Sequence, residues 1–223
     1  MGLEEFTDVF TRLSGAVDQL SAEFDGIFER AEIETLVRES AQQLEGATVA
    51  SFVPILAHRF ARERLRAQAL ATGKLARSTT EVVFVSITGG GRARMAASLL
   101  ERYIDDTVSV HTAGSGAAAG IDPNVKAAME ELGVDVSDKF TKPITPEVLA
   151  SADLVITMGR SVGPMEIPAQ AVHLDWRVGD PAGAELAEVR RVRDDIDRRV
   201  NELVMTLQGP AAEGAATVGV FEG

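Results

Sequence analysis

The chain has no cysteine among its 223 residues. A protein without thiols forms no disulfide bond, binds no zinc through thiolates and no iron–sulfur cluster, and has no thiolate nucleophile or thiol electron donor. The sequence therefore excludes every reaction that passes through a cysteine of this chain. It also has no signature of a metal or flavin site, so we expect neither a metal nor a cofactor.

Long apolar runs and excess positive charge are also missing. No stretch reaches the roughly 18 uninterrupted apolar residues of a membrane helix. The segment MGLEEFTDVF is acidic where a signal peptide is basic, so we expect a cytoplasmic protein. The 22 basic residues face 34 acidic ones, which gives a net charge of −12. Because this charge repels polyanions, we expect neither nucleic acid nor a membrane as a partner.

Residues 1–77 have the apolar periodicity of helices. One stripe recurs every three or four residues from Phe6 to Leu20, and a second runs from Ile33 to Leu44. A third helix is predicted to begin near Ser51 and to end near Gly73. Its second half carries four arginines, which form either a solvated face or a contact surface for a partner or an acidic ligand. The arginines are Arg59, Arg62, Arg64 and Arg66.

From about residue 78 the pattern changes to short apolar strands that alternate with helices. Strands are predicted at VVFVS, TVSVHTAG, DLVITMG and QAVHLDW. Such alternation predicts an α/β domain over residues 78–207, with four parallel strands and helices on both faces of the sheet. The Gly- and Ala-rich tail, residues 208–223, is expected to be disordered.

The most informative segment is VVFVSITGGGRARMAASLL, in which a strand ends at Ser86 and Arg92 opens a helix. Backbone N–H groups in such a loop carry partial positive charge, and glycines let the backbone wrap closely around an oxyanion. An arginine adds a two-pronged contact to phosphate-like oxygens. The segment predicts an anion-binding loop, and an ordinary glycine-rich turn is the alternative. The predicted ligand-binding residues are Ile87, Thr88, Gly89, Gly90, Gly91 and Arg92.

Two other glycine-loop motifs fit this segment less well. A dinucleotide fingerprint needs a third glycine three residues after Gly91, where Arg94 stands. A nucleoside-triphosphate loop needs a lysine and a hydroxyl residue before its helix, and the segment has neither.

The order of these motifs resembles one family, the low-molecular-weight protein tyrosine phosphatases and the thioredoxin- or mycothiol-linked arsenate reductases that share their fold. Ser86-x5-Arg92-Ala93 stands where that family has Cys-x5-Arg-Ser. The similarity continues, over about residues 81–206, through RMAASLL, HTAGSG, DPNVKAAMEELGVDVS, KPIT, ADLVITMG, LDW and DPAG. It implies a flavodoxin-like α/β fold and an oxyanion ligand. The helical N-terminal part resembles the three-helix domain found ahead of some actinobacterial arsenate reductases.

The sequence departs from the family at four positions that carry chemistry. The family's nucleophilic cysteine corresponds to Ser86, the hydroxyl residue after the arginine to Ala93, and the loop asparagine to Gly89. A further cysteine of the reductases corresponds to Arg160, which is either a second cation facing the anion or an exposed loop arginine. An engineered substitution would explain Ser86 alone, whereas a natural departure from catalysis explains all four changes.

One element of the phosphatase machinery is retained in the sequence. Asp180, before Pro181, matches the position that protonates the leaving group, although Asp-Pro is also an ordinary helix start. A serine hydroxyl stays protonated where a thiol ionises, so Ser86 would need a neighbouring base. Of the three histidines, His111 is the one we consider for that role, and we expect it to pack or hydrogen-bond locally instead.

Three functional hypotheses follow from the sequence. The first is a pseudoenzyme that binds phosphate, arsenate or a phosphorylated group at residues 86–92 without thiol chemistry. The second is an active phosphomonoester hydrolase with Ser86 as nucleophile and Asp180 as general acid. The third is a non-catalytic structural protein in which residues 1–77 form a homodimer.

Overall fold

The computed structural model of the chain describes residues 3–44, 53–86, 91–114, 121–136, 142–159 and 165–208. Within these ranges the helices are α1 (Leu3–Glu23), α2 (Arg30–Gln43), α3 (Val53–Ala71), α4 (Gly91–Glu101), α5 (Pro123–Glu130), α6 (Pro146–Ser151) and α7 (Leu186–Leu207). The strands are β1 (Thr80–Ser86), β2 (Val108–Ala113), β3 (Leu154–Met158) and β4 (Val172–Trp176). None of these helices combines the length and the hydropathy needed to cross a bilayer.

The four strands form one parallel sheet in the order β2-β1-β3-β4. This is the flavodoxin-like α/β arrangement that the sequence predicted, preceded by three helices. The first strand begins two residues earlier than the predicted apolar run, because Thr80 and Glu81 pair with Val108 and Ser109. Strand order reverses between β1 and β3, and ligands bind at such a crevice in open parallel sheets.

Alternate residues of β1 face two different apolar layers. Val82 and Phe84 pack beneath α4, α5 and α7. Val83 and Val85 face the other way, toward α6 and Ala67 of α3. The last helix, α7, faces this first layer with one apolar stripe, whose buried residues are Val189, Val192, Ile196, Val200 and Leu203.

Helix α5 shows how local sequence signals set the ends of an element. The Asp122 side chain accepts a hydrogen bond from the Asn124 N–H, and Pro123 occupies the first turn. Gly133 follows the helix with a φ of 70°, a conformation that glycine adopts without steric cost. Residues next to each end of this helix therefore set where it begins and ends.

The three N-terminal helices share a core and also cover the sheet. Leu20, Ile33 and Leu65 are fully buried together among α1, α2 and α3. The opposite side of α3 contributes Ala67 to the layer against Val83. Helix α3 thus belongs to both layers, and its removal would expose one face of the sheet.

A cluster of charged side chains joins α3 to the edge of the sheet. His111 of β2 lies between two carboxylates, with Nδ1 2.7 Å from Glu63 and Nε2 2.7 Å from Glu81. Lys142 forms a salt bridge to Glu63, and Arg66 donates to Glu81 at 2.9 Å. Because both ring nitrogens face a carboxylate oxygen, both carry hydrogen and the ring is an imidazolium.

The charges of this cluster set one another's protonation. Burial opposes charge on His111, but hydrogen bonds to Glu63 and Glu81 outweigh it and raise its pKa above the ordinary 6.5. Burial likewise raises the pKa of Glu63, but Lys142 and His111 overcome it and lower that pKa to about 2. The pKa of Glu81 falls to about 2 against the same opposing burial, through His111, Thr79 and Arg66.

We predict that the stability of the fold declines as the pH rises through the alkaline range. Folding raises the pKa of His111. The imidazolium therefore contributes its full stabilisation of the fold below pH 6.5, and this contribution is lost as the pH rises through the pKa of His111 in the folded protein. Replacing His111 by Gln leaves two buried carboxylates without their shared cation, which costs roughly 3 kcal/mol at neutral pH. Urea unfolding at pH 6, 7.5 and 9 measures both effects.

His58→Gln is the matched control, because His58 lies on α3 outside the cluster. It should keep the parent's pH dependence, whereas His111→Gln should flatten it. Equal slopes for the parent and His111→Gln would show that the imidazolium does not contribute to stability.

Candidate anion-binding site

Ser86 ends β1 at the carboxyl edge of the sheet. Its side chain is fully buried and faces the same layer as Phe84. Its hydroxyl has no hydrogen-bond partner among the described residues. The position predicted for the nucleophile is therefore inside the protein, at the point where the chain leaves the strand.

Arg92 stands in the first turn of α4 and turns its guanidinium inward. The residue is 5% exposed. Its Nη1 lies 3.5 Å from the carbonyl oxygens of Val178 and Gly179, which follow β4. The side chain thus reaches from the start of α4 to the segment after the edge strand, with its charge at the carboxyl edge of the sheet.

Gly159, directly after β3, lies against this guanidinium. A Cβ built at Gly159 would lie 2.7 Å from Nη1, 2.8 Å from Nη2 and 2.9 Å from Cζ of Arg92. Its φ of +95° also lies in the region that favours glycine. No side chain fits between the backbone of Gly159 and Arg92, so the glycine fixes where the cation can sit.

Asp180 supplies a carboxylate to the same place. Its Oδ2 lies 3.6 Å from Nη2 of Arg92, and its Oδ1 accepts a hydrogen bond from Ala182 N–H at 3.1 Å. The next residue, Pro181, borders the start of α4, since a Cβ at Gly91 would lie 3.5 Å from Pro181 Cγ. Asp180 is therefore held beside the cation at the mouth of the site.

These residues meet where the sheet topology places a ligand. Ser86 ends β1 and Gly159 follows β3, the two strands between which the order reverses. The first turn of α4 contributes the N-terminal end of its dipole and the Arg92 charge. The partial positive charge of the helix end and the full positive charge of Arg92 lie at the same place, which favours a tetrahedral anion.

His111 does not belong to this site. It pairs with Val83 in the parallel register, so it lies on the face of the sheet opposite Ser86. There it bonds to Glu63 and Glu81, which confirms the expected local role. Among the described residues no histidine or carboxylate is hydrogen-bonded to the Ser86 hydroxyl.

Part of the predicted site lies outside the described residues: Ile87, Thr88, Gly89, Gly90 and Arg160. Their roles stay predictions. Ser86, Gly91, Arg92 and Asp180 are described, and the last two are in contact. Ala93 is buried in α4 and brings no hydroxyl to the site.

Two contributions to the site were not anticipated from the sequence. One is the close approach of Gly159 to Arg92, and the other is the pair of carbonyl oxygens at Val178 and Gly179. The Met-Gly pair at the end of β3 was the available signal for Gly159, because a glycine directly after a buried strand often marks a close backbone approach.

Comparisons with known proteins match both parts of the chain. Residues 13–69 match the protein-tyrosine-phosphatase-like N-terminal domain. A putative arsenate reductase of Halobacterium salinarum is 36% identical over 132 residues, which cover 56% of this chain and 92% of that protein. An arsenate reductase of Brevibacillus brevis is 34% identical over 130 residues, 56% of this chain and 96% of that protein.

Solved structures agree with the fold. The thioredoxin-dependent arsenate reductase Cg_ArsC1' of Corynebacterium glutamicum is similar over 88% of this chain and 96% of its own, with a TM-score of 0.76 and 34% identity. An arsenate reductase in the phosphate binding state is similar over 58% of this chain and 100% of its own, with a TM-score of 0.51 and 25% identity. Residues 81–212 match the low molecular weight phosphotyrosine protein phosphatase family, and the chain belongs to it.

Proposed function

We propose that the chain binds phosphate, arsenate or a phosphorylated group in the loop 86–92 and does not turn it over by thiol chemistry. The observation that carries this proposal is the buried guanidinium of Arg92, held against Gly159 at the carboxyl edge of the sheet. A charge fixed there before the ligand arrives loses little side-chain freedom on binding. The charge is thus preorganised for an anion.

The composition of the site supports binding over catalysis. The chain has no cysteine, so neither a thiophosphate intermediate nor a thiol-based reduction can form on it. Ser86 stands at the nucleophile position, and its hydroxyl has no base bonded to it among the described residues. An unassisted serine hydroxyl is a weak nucleophile. A pseudoenzyme that senses or carries an oxyanion fits these facts.

The similar proteins support the ligand class. One of the similar structures is an arsenate reductase in its phosphate binding state, and the chain resembles a thioredoxin-dependent arsenate reductase over most of its length. The predicted homodimer through residues 1–77 is not tested by a single chain and stays a prediction.

We predict that phosphate stabilises the protein and that Arg92 is required for this effect. Saturation at about 100 times the Kd adds about 2.7 kcal/mol to the free energy of unfolding. Thermal unfolding with increasing phosphate should therefore give a Tm that rises by several degrees. Arg92→Ala should abolish this rise in Tm. Arg92→Lys should keep a part of it, because lysine retains the positive charge but lacks the two-pronged guanidinium.

Asp180→Asn is the matched variant, and it should change phosphate affinity in the opposite direction to Arg92→Ala. It removes a negative charge 3.6 Å from the guanidinium while an amide oxygen can still accept the Ala182 N–H bond. Phosphate should then bind more tightly than to the parent. If the Tm of the parent protein does not change with phosphate concentration, the proposal is contradicted.

A second prediction concerns Gly159. In Gly159→Ala the new methyl group would lie under 3 Å from the guanidinium, so Arg92 must leave its position. We expect phosphate affinity, measured by calorimetry, to fall by at least about tenfold, the worth of one charge-assisted hydrogen bond.

Gly133→Ala controls for backbone strain alone. Gly133 also has a positive φ, of +70°, but a Cβ there meets nothing within 4 Å. This variant should lose stability and keep its phosphate affinity. If both alanine variants bind phosphate like the parent, the close approach at Gly159 does not position the cation.

Hydrolysis by Ser86 is the second candidate function, favoured by the contact between Asp180 and Arg92. It requires Ser86 to lose its hydroxyl proton to a base and to attack phosphorus, while Asp180 protonates the leaving oxygen. Water must then hydrolyse the phosphoserine ester to release phosphate. We predict no turnover of a generic aryl phosphate by the parent protein. Turnover that disappears in both Ser86→Ala and Asp180→Asn would instead establish the hydrolase, and turnover that survives Ser86→Ala would exclude that residue's role.

A further inference from the structure

A polar cavity lies between α3 and the edge strand β2. Its volume is about 530 Å³. One wall is a face of α3 with Arg59, Arg62 and Arg66, spaced three and four residues apart. The other wall is β2, so the cavity is bounded both by the N-terminal helices and by the sheet. Ser86 faces the opposite layer of the sheet.

The arginines of the α3 wall have N–H groups that can donate hydrogen bonds to a ligand. Arg59 is exposed and has no ion pair or hydrogen bond among the described residues. Arg62 pairs with Glu23, but this pair is 58% and 38% exposed, and exposed pairs hold their partners weakly. Arg66 uses only its Nη2 for Thr79 and Glu81, which leaves its Nε and Nη1 available among the described residues.

One carboxylate of the lining, that of Glu63, is already neutralised. Glu63 bonds to His111 through one oxygen and to Lys142 through the other. Asp106 is the other acidic residue of the lining, and it lies on the β2 side, before the strand begins. An incoming anion is therefore attracted to the α3 wall and repelled at Asp106.

The size and chemistry of the cavity define its ligand. Cavities of about this volume bind small organic molecules. The three arginines are spaced three and four residues apart and so share one face of the helix, where each guanidinium can hold an anionic group. The hydroxyl of Ser109 adds an uncharged hydrogen-bonding group to the lining. We propose that this cavity binds a small molecule with at least two phosphate or carboxylate groups.

A ligand in this cavity would contact both parts of the protein. Arg59 and Arg62 belong to the N-terminal helices, whereas Ser109 belongs to the sheet. Binding would therefore strengthen the attachment of α3 to β2, which the His111 cluster already joins. Ligand binding at this cavity would stabilise the docked arrangement by mass action.

Calorimetry on the full chain with inorganic pyrophosphate and with citrate tests the proposal. We expect at least one of the two to bind, and we expect the double variant Arg59→Gln/Arg62→Gln to weaken that binding by about tenfold or more. Asp106→Asn should strengthen it by about threefold, because it removes an exposed repelling charge. Arg177→Gln, at an arginine whose side chain is 89% exposed and lies beyond β4, should change nothing.

The two probes separate the two sources of negative charge. If pyrophosphate binds and the arginine double variant weakens its binding, the ligand of the cavity carries phosphate groups. If citrate behaves in this way, the ligand carries carboxylates. If neither probe binds, or if the arginine variants bind like the parent, the proposal is wrong.

Arg92→Ala separates this cavity from the loop 86–92. The cavity ligand should bind to Arg92→Ala as it binds to the parent, whereas orthophosphate binding at the loop should be lost. Pyrophosphate binding that disappears in Arg92→Ala and persists in Arg59→Gln/Arg62→Gln would place the anion in the loop and overturn this inference, while the proposed function would stand.

Discussion

The close approach of the Gly159 backbone to the Arg92 guanidinium is the constraint on which the candidate site depends. Arginine keeps its charge at any pH a protein meets, and here that charge is placed inside the fold at the carboxyl edge of the sheet. The glycine leaves room for the guanidinium, and the carbonyls of Val178 and Gly179 border its other side. The fold thus sets the position of this cation.

The sheet separates two systems of charge by the alternation of its side chains. Even-numbered residues of β1, including Ser86, face α4 and α7, whereas odd-numbered residues, including Glu81, face α3. The candidate anion-binding site therefore lies on one side, at the edge, and the attachment of the N-terminal helices lies on the other. Ser86 makes no contact with the His111 cluster, which stands on the opposite face of the sheet.

The sequence predicted those features that local pattern determines. Apolar patterns predicted the strands and the N-terminal helices, and the order of strand, glycine loop and arginine predicted an anion-binding loop that begins at Ser86 and ends at Arg92. The contact of Gly159 with Arg92 was not predictable, because it depends on how β3 and α4 meet in space. The bonds from His111 to Glu63 and Glu81 join residues 48 and 30 positions apart, and periodicity carries no information about such partners.

The double role of α3 is a further feature that helical periodicity leaves open. Its apolar residues are sufficient to predict a helix in a three-helix core, but Ala67 packs on the sheet instead. The three helices and the sheet therefore share a layer, and the charged residues between them connect the same two parts. The N-terminal helices are therefore packed onto the sheet through α3.

Arsenate tests the central claim most directly, because arsenic scatters X-rays anomalously and marks its own position. A crystal of the full chain soaked in arsenate should show an anomalous peak within hydrogen-bond distance of the Arg92 guanidinium, at the carboxyl edge between β1 and β3. A well-occupied crystal without that peak, or with the guanidinium turned away from Gly159, would contradict the account.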